Sequence, residues 1–326
     1  MTILAQSPRC PLSDKAMKPW MSMPIDWLKG EPTPYGEIYW CEESQYGLVM
    51  PRPDRESVRS FYDLKAYYTH GSNHVTESEK NTFLDRLRVN IAWKFDRGTE
   101  ITANFIDRCL AGKISRICEI GCGNGEFLQQ LKEIGHKVCG IEPDEKALAF
   151  LKDLDVYPGT AEEIPTAIMS RSFDLVIIKH VLEHCLDPLV ALRNAYQLLR
   201  SGGMLICEVP NNCALQLSYD GVTWSFLDIP RHLNFFTPTN LRTICEKSGF
   251  KTQSLFFRGF TRQFSNSWIN RQASIWDRLR DARAQTTARP LPKRISQIRV
   301  WKHLFFSLLA SAEKKYDSVG IIAIRP

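Results

Sequence analysis

Four groups of residues in this chain of 326 have types and spacings suited to chemistry. The first is Glu119 with Gly121-Cys122-Gly123-Asn124-Gly125. Alternating glycines let the backbone turn tightly and approach a ligand closely. Dinucleotide loops of the form Gly-x-Gly-x-x-Gly seat a pyrophosphate on a helix N-terminus. Here the glycines alternate and a carboxylate precedes them by two positions, which repels a pyrophosphate and suits a ligand with a cationic amino group. The second is Glu142, about 20 residues past the loop, where an acid can accept hydrogen bonds from ribose hydroxyls, followed by Pro143 as an apolar edge for a base. The third is His180-Val181-Leu182-Glu183-His184. Read as the opening of a helix, it puts both histidines on one face. An imidazole titrates near neutrality, so His184 is a candidate base; with Glu183 the pair could form a small divalent-metal site, or the rings could shape a ligand pocket without touching a proton. No metal ligand set is assigned. The fourth is Arg231-His232, in Pro230-Arg231-His232-Leu233-Asn234. A guanidinium there could hold an acceptor carboxylate or phosphate bidentately, His232 could be the base in place of His184, or both could pin the segment to the domain.

These residues need elements to place them. Short apolar runs at 116–120, 137–141, 155–158, 173–179 and 204–210 read as strands, and stretches at 126–135, 145–154, 180–199 and 238–248 read as helices. Such alternation predicts a parallel sheet with helices on both faces, and ligands gather at the carboxyl edge of such a sheet near the switch in strand order. Two further strand-like runs, 250–257 and 319–325, are expected to pair at the sheet edge. The fold class is α/β: a Rossmann-like, seven-stranded, mostly parallel sheet with an irregular to helical N-terminal extension and a helical insertion before the last strand. The expected divisions are an irregular arm at 1–60 with a short strand or two around 37–40 and 47–50, a helical cap at 61–112, the sheet domain at 113–261 plus 317–326, and a basic helical insertion at 262–316. In the arm, Cys10-x-x-Ser13 and Cys41-x-x-Ser44 resemble two Cys-x-x-Cys knuckles that have each lost a thiol; four thiolates hold a structural zinc, two do not.

Composition bounds the rest. Apolar content of 44% is ordinary for a globular chain. No apolar run is long enough to span a membrane, and residues 1–20 lack the apolar core of a secretory leader, so a cytoplasmic location is expected. The ten cysteines are scattered, several within strand-like runs, as buried thiols in a reducing compartment are. The net charge of +6 is uneven: positions 258–302 hold eleven basic residues against two acidic ones. That segment could line a solvated face, form a dimer contact or rest peripherally on a membrane.

In order, the glycine loop, Gly140-Ile141-Glu142-Pro143, Gly159-Thr160-Ala161-Glu162, the His180–His184 segment and Gly202-Gly203 to Pro210 resemble class I S-adenosylmethionine-dependent methyltransferases. The likeness is to the ubiquinone-biosynthesis and small-molecule O-methyltransferase groups and spans about Ser115 to Phe250. It implies S-adenosylmethionine (SAM) as cofactor. Glu119, Gly121, Cys122 and Gly123 would line its methionine end, Glu142 and Pro143 the ribose and base, Ala161 and Glu162 the adenine, and His180 the sulfonium. Tyr67 and Tyr68 look like an aromatic cover, Tyr68 over the cofactor and Tyr67 toward the acceptor. Methyl transfer to the oxygen of a small-molecule or natural-product acceptor is the reaction implied. Transfer to nitrogen or carbon of a peptide or sugar, or SAM binding without catalysis, are the alternatives. No nucleic-acid partner is expected: no Asn/Asp-Pro-Pro-Tyr/Phe segment or Pro-Cys nucleophile is present.

Overall fold

The computed structural model describes residues 7–63, 82–283 and 293–326. The strands, in chain order, are Lys18–Ser22 (β1), Ile25–Asp26 (β2), Glu31–Pro32 (β3), Glu37–Cys41 (β4), Tyr46–Met50 (β5), Arg116–Ile120 (β6), Lys137–Glu142 (β7), Val156–Pro158 (β8), Phe173–Lys179 (β9), Leu199–Pro210 (β10), Asn234–Phe235 (β11), Lys251–Arg258 (β12) and Ser318–Ile324 (β13).

Seven of them form the main sheet, in the order β12-β13-β10-β9-β6-β7-β8. The five strands from β6 to β10 run parallel, and β13 is antiparallel to both β10 and β12. Central strands buried on both faces read as continuous apolar runs. Ile117, Leu175, Ile177 and Ile206 face one layer with Ile106 and Leu131, whereas Cys118, Ile120, Val176, Ile178 and Cys207 face the other with Leu192, Ala195, Leu241 and Ile244. From β6 the chain goes to β7 and β8 on one side, then crosses back to β9 and β10 on the other. The strand order therefore switches between β6 and β9, and the glycine loop and the His180 segment leave the sheet side by side at that crevice.

The helix expected over 180–199 is corrected. His180 leaves β9 with φ +53°, Leu182–His184 is a single 3-10 turn, and the helix proper is Pro188–Leu198. Proline suits the first helical position, and Asp187 caps the backbone N–H groups of Leu189 and Val190. The two histidines thus do not share a helical face.

The arm is less irregular than its sequence suggests. β1, β4 and β5 form an antiparallel sheet completed by β11, which follows the parallel strands in the chain. Ile38 and Val49 pack with Trp224, Leu227, Leu233 and Phe235. The two half-knuckles meet: Cys10 Sγ lies 3.0 Å from Ser44 Oγ, and Cys41 Sγ lies 3.5 Å from Ser13 Oγ. The insertion, with helices Asn266–Arg283 and Gln297–Leu308, is packed against helix Phe83–Phe95 through Ala92, Phe264, Val300 and Leu304. Arg88, fully buried, ties the two with bonds to the Phe264 carbonyl, Gln297 and Asn266. Among the described residues no helix is long and apolar enough to cross a membrane.

Candidate active site

The cofactor cradle is built from strand ends. Gly121, Gly123 and Gly125 all take positive φ (+74°, +54° and +72°), a region closed to most side chains. A Cβ on Gly121 would sit 2.3 Å from Val181 Cγ2, so the loop and the His180 segment touch backbone to side chain. Glu142, at the end of β7, accepts the Gly123 N–H (2.7 Å) and the Asp144 N–H (3.0 Å). Its carboxylate fixes the loop, and the remaining lone pairs are those a ribose diol would use. Burial pushes its pKa up. Pro143 is exposed beside it. Cys122 lies in the loop with its side chain turned inward against Leu128 and Leu151, so it lines the cradle through backbone.

Glu119 is buried at the end of β6. Oε1 lies 3.5 Å from Lys179 Nζ, and Oε2 has no hydrogen-bond partner. Burial raises its pKa to about 7 against the pull of Lys179. A buried carboxylate oxygen without a donor is costly unless a ligand supplies one, and an ammonium group does. Ala161 is buried and its carbonyl is held by Asn194. Glu162 accepts the N–H groups of Leu186 and Asp187, so its carboxylate anchors the turn after His184.

The histidine segment forms a second layer of the site. His180 is held between two buried carboxylates, Nδ1 3.2 Å from Glu183 Oε1 and Nε2 3.0 Å from Glu208 Oε1. Burial opposes charge on the ring, but these two partners outweigh it and raise its pKa to about 9. Glu208 is lowered to about 2: burial is overcome by His180, with Arg258 adding to the pull. His180 is thus an imidazolium that orients carboxylates. His184 differs: burial and the neighbouring His232 lower its pKa to about 4. Its Nδ1 lies 3.0 Å from the Arg231 carbonyl and 2.8 Å from the Tyr62 hydroxyl. A carbonyl only accepts, so Nδ1 carries the proton and Nε2 keeps its lone pair. By the same logic His232 donates from Nδ1 to the Phe226 carbonyl (2.7 Å) and keeps Nε2 free. The two rings stand edge to face, 4.6 Å apart, and one ligand-type atom from each of Glu183, His184 and His232 lies within 4.8 Å of the others.

Arg231 does not face an acceptor; that expectation is corrected. Its side chain is fully buried and bonds Asp26 at 2.8 and 2.9 Å and Asp228 at 2.9 to 3.1 Å. Those carboxylates keep the guanidinium charged despite burial, and the pair pins the His232 segment to the arm. Tyr67 and Tyr68 lie outside the described residues. Sequence reasoning missed the residues that stitch the site together. Asn234 Nδ2 donates to the Glu183 and Cys185 carbonyls. Arg52 from the arm donates to the Cys185, Leu186 and Leu233 carbonyls, and the Tyr46 hydroxyl donates to Asn234 Oδ1 at 2.8 Å. Only the Asn234 position next to Arg231-His232 carried any local signal.

A family model described as a methyltransferase domain matches residues 92–255. The ubiquinone biosynthesis O-methyltransferase of Ruegeria sp. strain TM1040 is 32% identical over 180 residues, which are 51% of this chain and 69% of that protein. The protein of the same name from Ruegeria pomeroyi is 30% identical over 184 residues, 52% of this chain and 70% of the relative. Among solved structures, a SAM-dependent methyltransferase from Archaeoglobus fulgidus superposes with a TM-score of 0.45 at 21% identity, covering 68% of this chain and 94% of that one. The chain belongs to the methyltransferase-domain family, and it is a class I enzyme that uses S-adenosylmethionine as methyl donor.

Proposed function

We propose that this methyltransferase acts on oxygen, at a hydroxyl of a small-molecule acceptor. The observation that carries the reading is the pair of imidazoles, His184 and His232, whose Nε2 lone pairs remain free beside the cofactor crevice because both Nδ1 protons are committed to backbone carbonyls. A sulfonium is an activated donor, so the protein chiefly supplies proximity and orientation; a hydroxyl acceptor also needs a group that receives its hydrogen bond and proton. An imidazole Nε2 lone pair is such a group. A carboxylate acceptor fits less well, since Glu183 and Glu208 already place two carboxylates there against one imidazolium. The named activity of the relatives, O-methylation in ubiquinone biosynthesis, supports the choice of oxygen and points to phenolic acceptors.

Methyl-labelled SAM, the full chain and a panel of phenols carrying one or two hydroxyls test the proposal. Carbon-13 NMR should place the label in a methyl ether, and His184→Gln with His232→Gln should lower turnover by about 10²-fold or more. Label found on nitrogen or carbon, or full turnover in the double variant, would overturn it.

A further inference from the structure

We infer that Cys10 and Cys41 form a two-thiolate site for a soft monovalent cation of the copper(I) class, with Ser13 and Ser44 as its positioning residues. The two Cys-x-x-Ser segments fold into the same kind of turn. An antiparallel bridge from Arg9 to Ala16 closes the first, and the Cys41–Tyr46 pair of the β4–β5 hairpin closes the second. In each turn the residue four positions after the cysteine takes positive φ, Asp14 at +56° and Gln45 at +50°. Neither is glycine, so both turns keep a backbone form that residues with a Cβ adopt only at a cost. The turns face each other so that four side chains meet. Cys10 Sγ lies 3.0 Å from Ser44 Oγ, and Cys41 Sγ lies 3.5 Å from Ser13 Oγ. The Cys41 thiol also hydrogen-bonds Ser44 and Cys10.

Two thiols in polar company differ from cysteines that only fill a core. Cys185, Cys207 and Cys245 are buried, and burial pushes their thiols up, as it does for a small hydrophobe. Cys10 and Cys41 are each 1% exposed. Burial acts on Cys41 too, but its hydrogen bonds to Ser13, Ser44 and Cys10 outweigh it and draw the thiol down. The donor set then chooses the ion. Zinc takes four ligands from thiolate, imidazole and carboxylate, and two neutral hydroxyls do not complete that set. A soft monovalent cation is satisfied by the two thiolates alone, with the hydroxyls donating to the sulfurs and holding them in place. Binding forms two copper–sulfur bonds and releases the two thiol protons to solvent; no electron moves and no oxidant is needed. Ser13 and Ser44 are half-buried where the cysteines are covered, which leaves the hydroxyl side as the way in. A cation that ties the two turns together also firms the sheet in which β5 pairs with β11, next to the His232 segment. The inference needs no particular methyl acceptor, and copper binding can fail while O-methylation stands.

The test is titration of the full chain, reduced and free of oxygen, with copper(I) against a bicinchoninate competitor. One equivalent should be taken from the competitor and should raise the melting temperature, and X-ray absorption should show two sulfur neighbours and no nitrogen. Cys10→Ser and Cys41→Ser should each weaken that equivalent by about 100-fold or more, whereas Cys213→Ser, outside the arm, should leave it unchanged. Ser13→Ala combined with Ser44→Ala keeps both thiols and should weaken it about 10-fold; should a cysteine variant unfold, this pair decides. Failure to take copper(I) from the competitor refutes the site. So does unchanged affinity in Cys41→Ser or in the serine pair, or displacement of the copper by one equivalent of zinc.

Discussion

Two side chains at the heart of the site carry protonation states that bulk values do not suggest, and each has a measurable consequence. Burial holds Glu119 near pH 7 in the free protein, whereas an ammonium group beside Oε2 favours the ionised form. SAM binding should therefore release protons near pH 6.5, and its affinity should fall by up to tenfold per pH unit below about 7. Calorimetry in buffers of different ionisation enthalpy reads the proton count, and Glu119→Gln should abolish the dependence along with much of the affinity. His180 runs the other way. Its folded pKa of about 9 lies above the unfolded value of 6.5, so its stabilisation is complete below pH 6.5 and is lost as pH rises through 9. Its ring is 31% exposed, so after discounting for solvent the slope amounts to about 1–2 kcal/mol. Denaturant melts between pH 6.5 and 9.5 should show this slope in the parent and its loss in His180→Asn. At this scale, Glu119, the glycines and Glu142 were legible because their partners are near in sequence or on the adjacent strand. Arg231 was not: its counter-ion Asp26 is 205 positions away, and a lone arginine in a lid segment looks the same whether it meets an acceptor or an aspartate.

Among the elements, the connection from β9 to helix Pro188–Leu198 decides how the two halves of the site meet. Gly121 approaches Val181 so closely that a methyl group has no room, and its φ of +74° is itself unfavourable for alanine. Gly121→Ala should cost about 2–3 kcal/mol of stability and weaken SAM binding, seen as a lower melting temperature that excess SAM only partly restores. The sheet was legible in the alternation of apolar runs, and the edge pair β12–β13 in two strand-like runs flanking an insertion. The break after His180 leaves no mark at the histidines themselves; the local signal for the helix start is the Asp187-Pro188 pair, an N-cap followed by a first-turn proline. Two of the arm's strands, around 37–40 and 47–50, were legible as short runs and stand as β4 and β5; their extension by β11 was not, because that pairing is non-local. Within the arm, the meeting of Cys10 with Ser44 and Ser13 with Cys41 predicts that Ser13→Cys combined with Ser44→Cys creates a four-thiol site. It should bind one zinc and raise the melting temperature in a chelator-reversible way; a double variant that binds none would show the spacing to be coincidental.

For the molecule as a whole, apolar side chains gather on one exterior face. Phe83 and Leu84 are exposed on one helix, Ile298, Phe305 and Phe306 on the helix packed against it, with Leu309 just beyond. Arg86, Lys94, Lys293 and Lys302 are also exposed on these two helices and the approach to the second. Exposed apolar and basic residues on the same pair of helices fit an anionic lipid surface. Sedimentation with vesicles containing phosphatidylglycerol should carry the protein down at low salt and release it at high salt, and Phe305→Glu with Phe306→Glu should abolish binding; indifference to lipid charge would refute it. A last consequence follows from the ladder between β5 and β11, which pairs Leu48 with Asn234 and is joined by the Tyr46–Asn234 side-chain bond across 188 positions. Contacts of such separation form late, and chains emerge from the ribosome N-terminus first. The arm can pair β4 with β5 early, but the other edge of β5 must wait while the glycine loop and its strands are made. The cradle for the methyl donor can assemble on a growing chain, but the imidazole pair is not brought together until residue 235 is free.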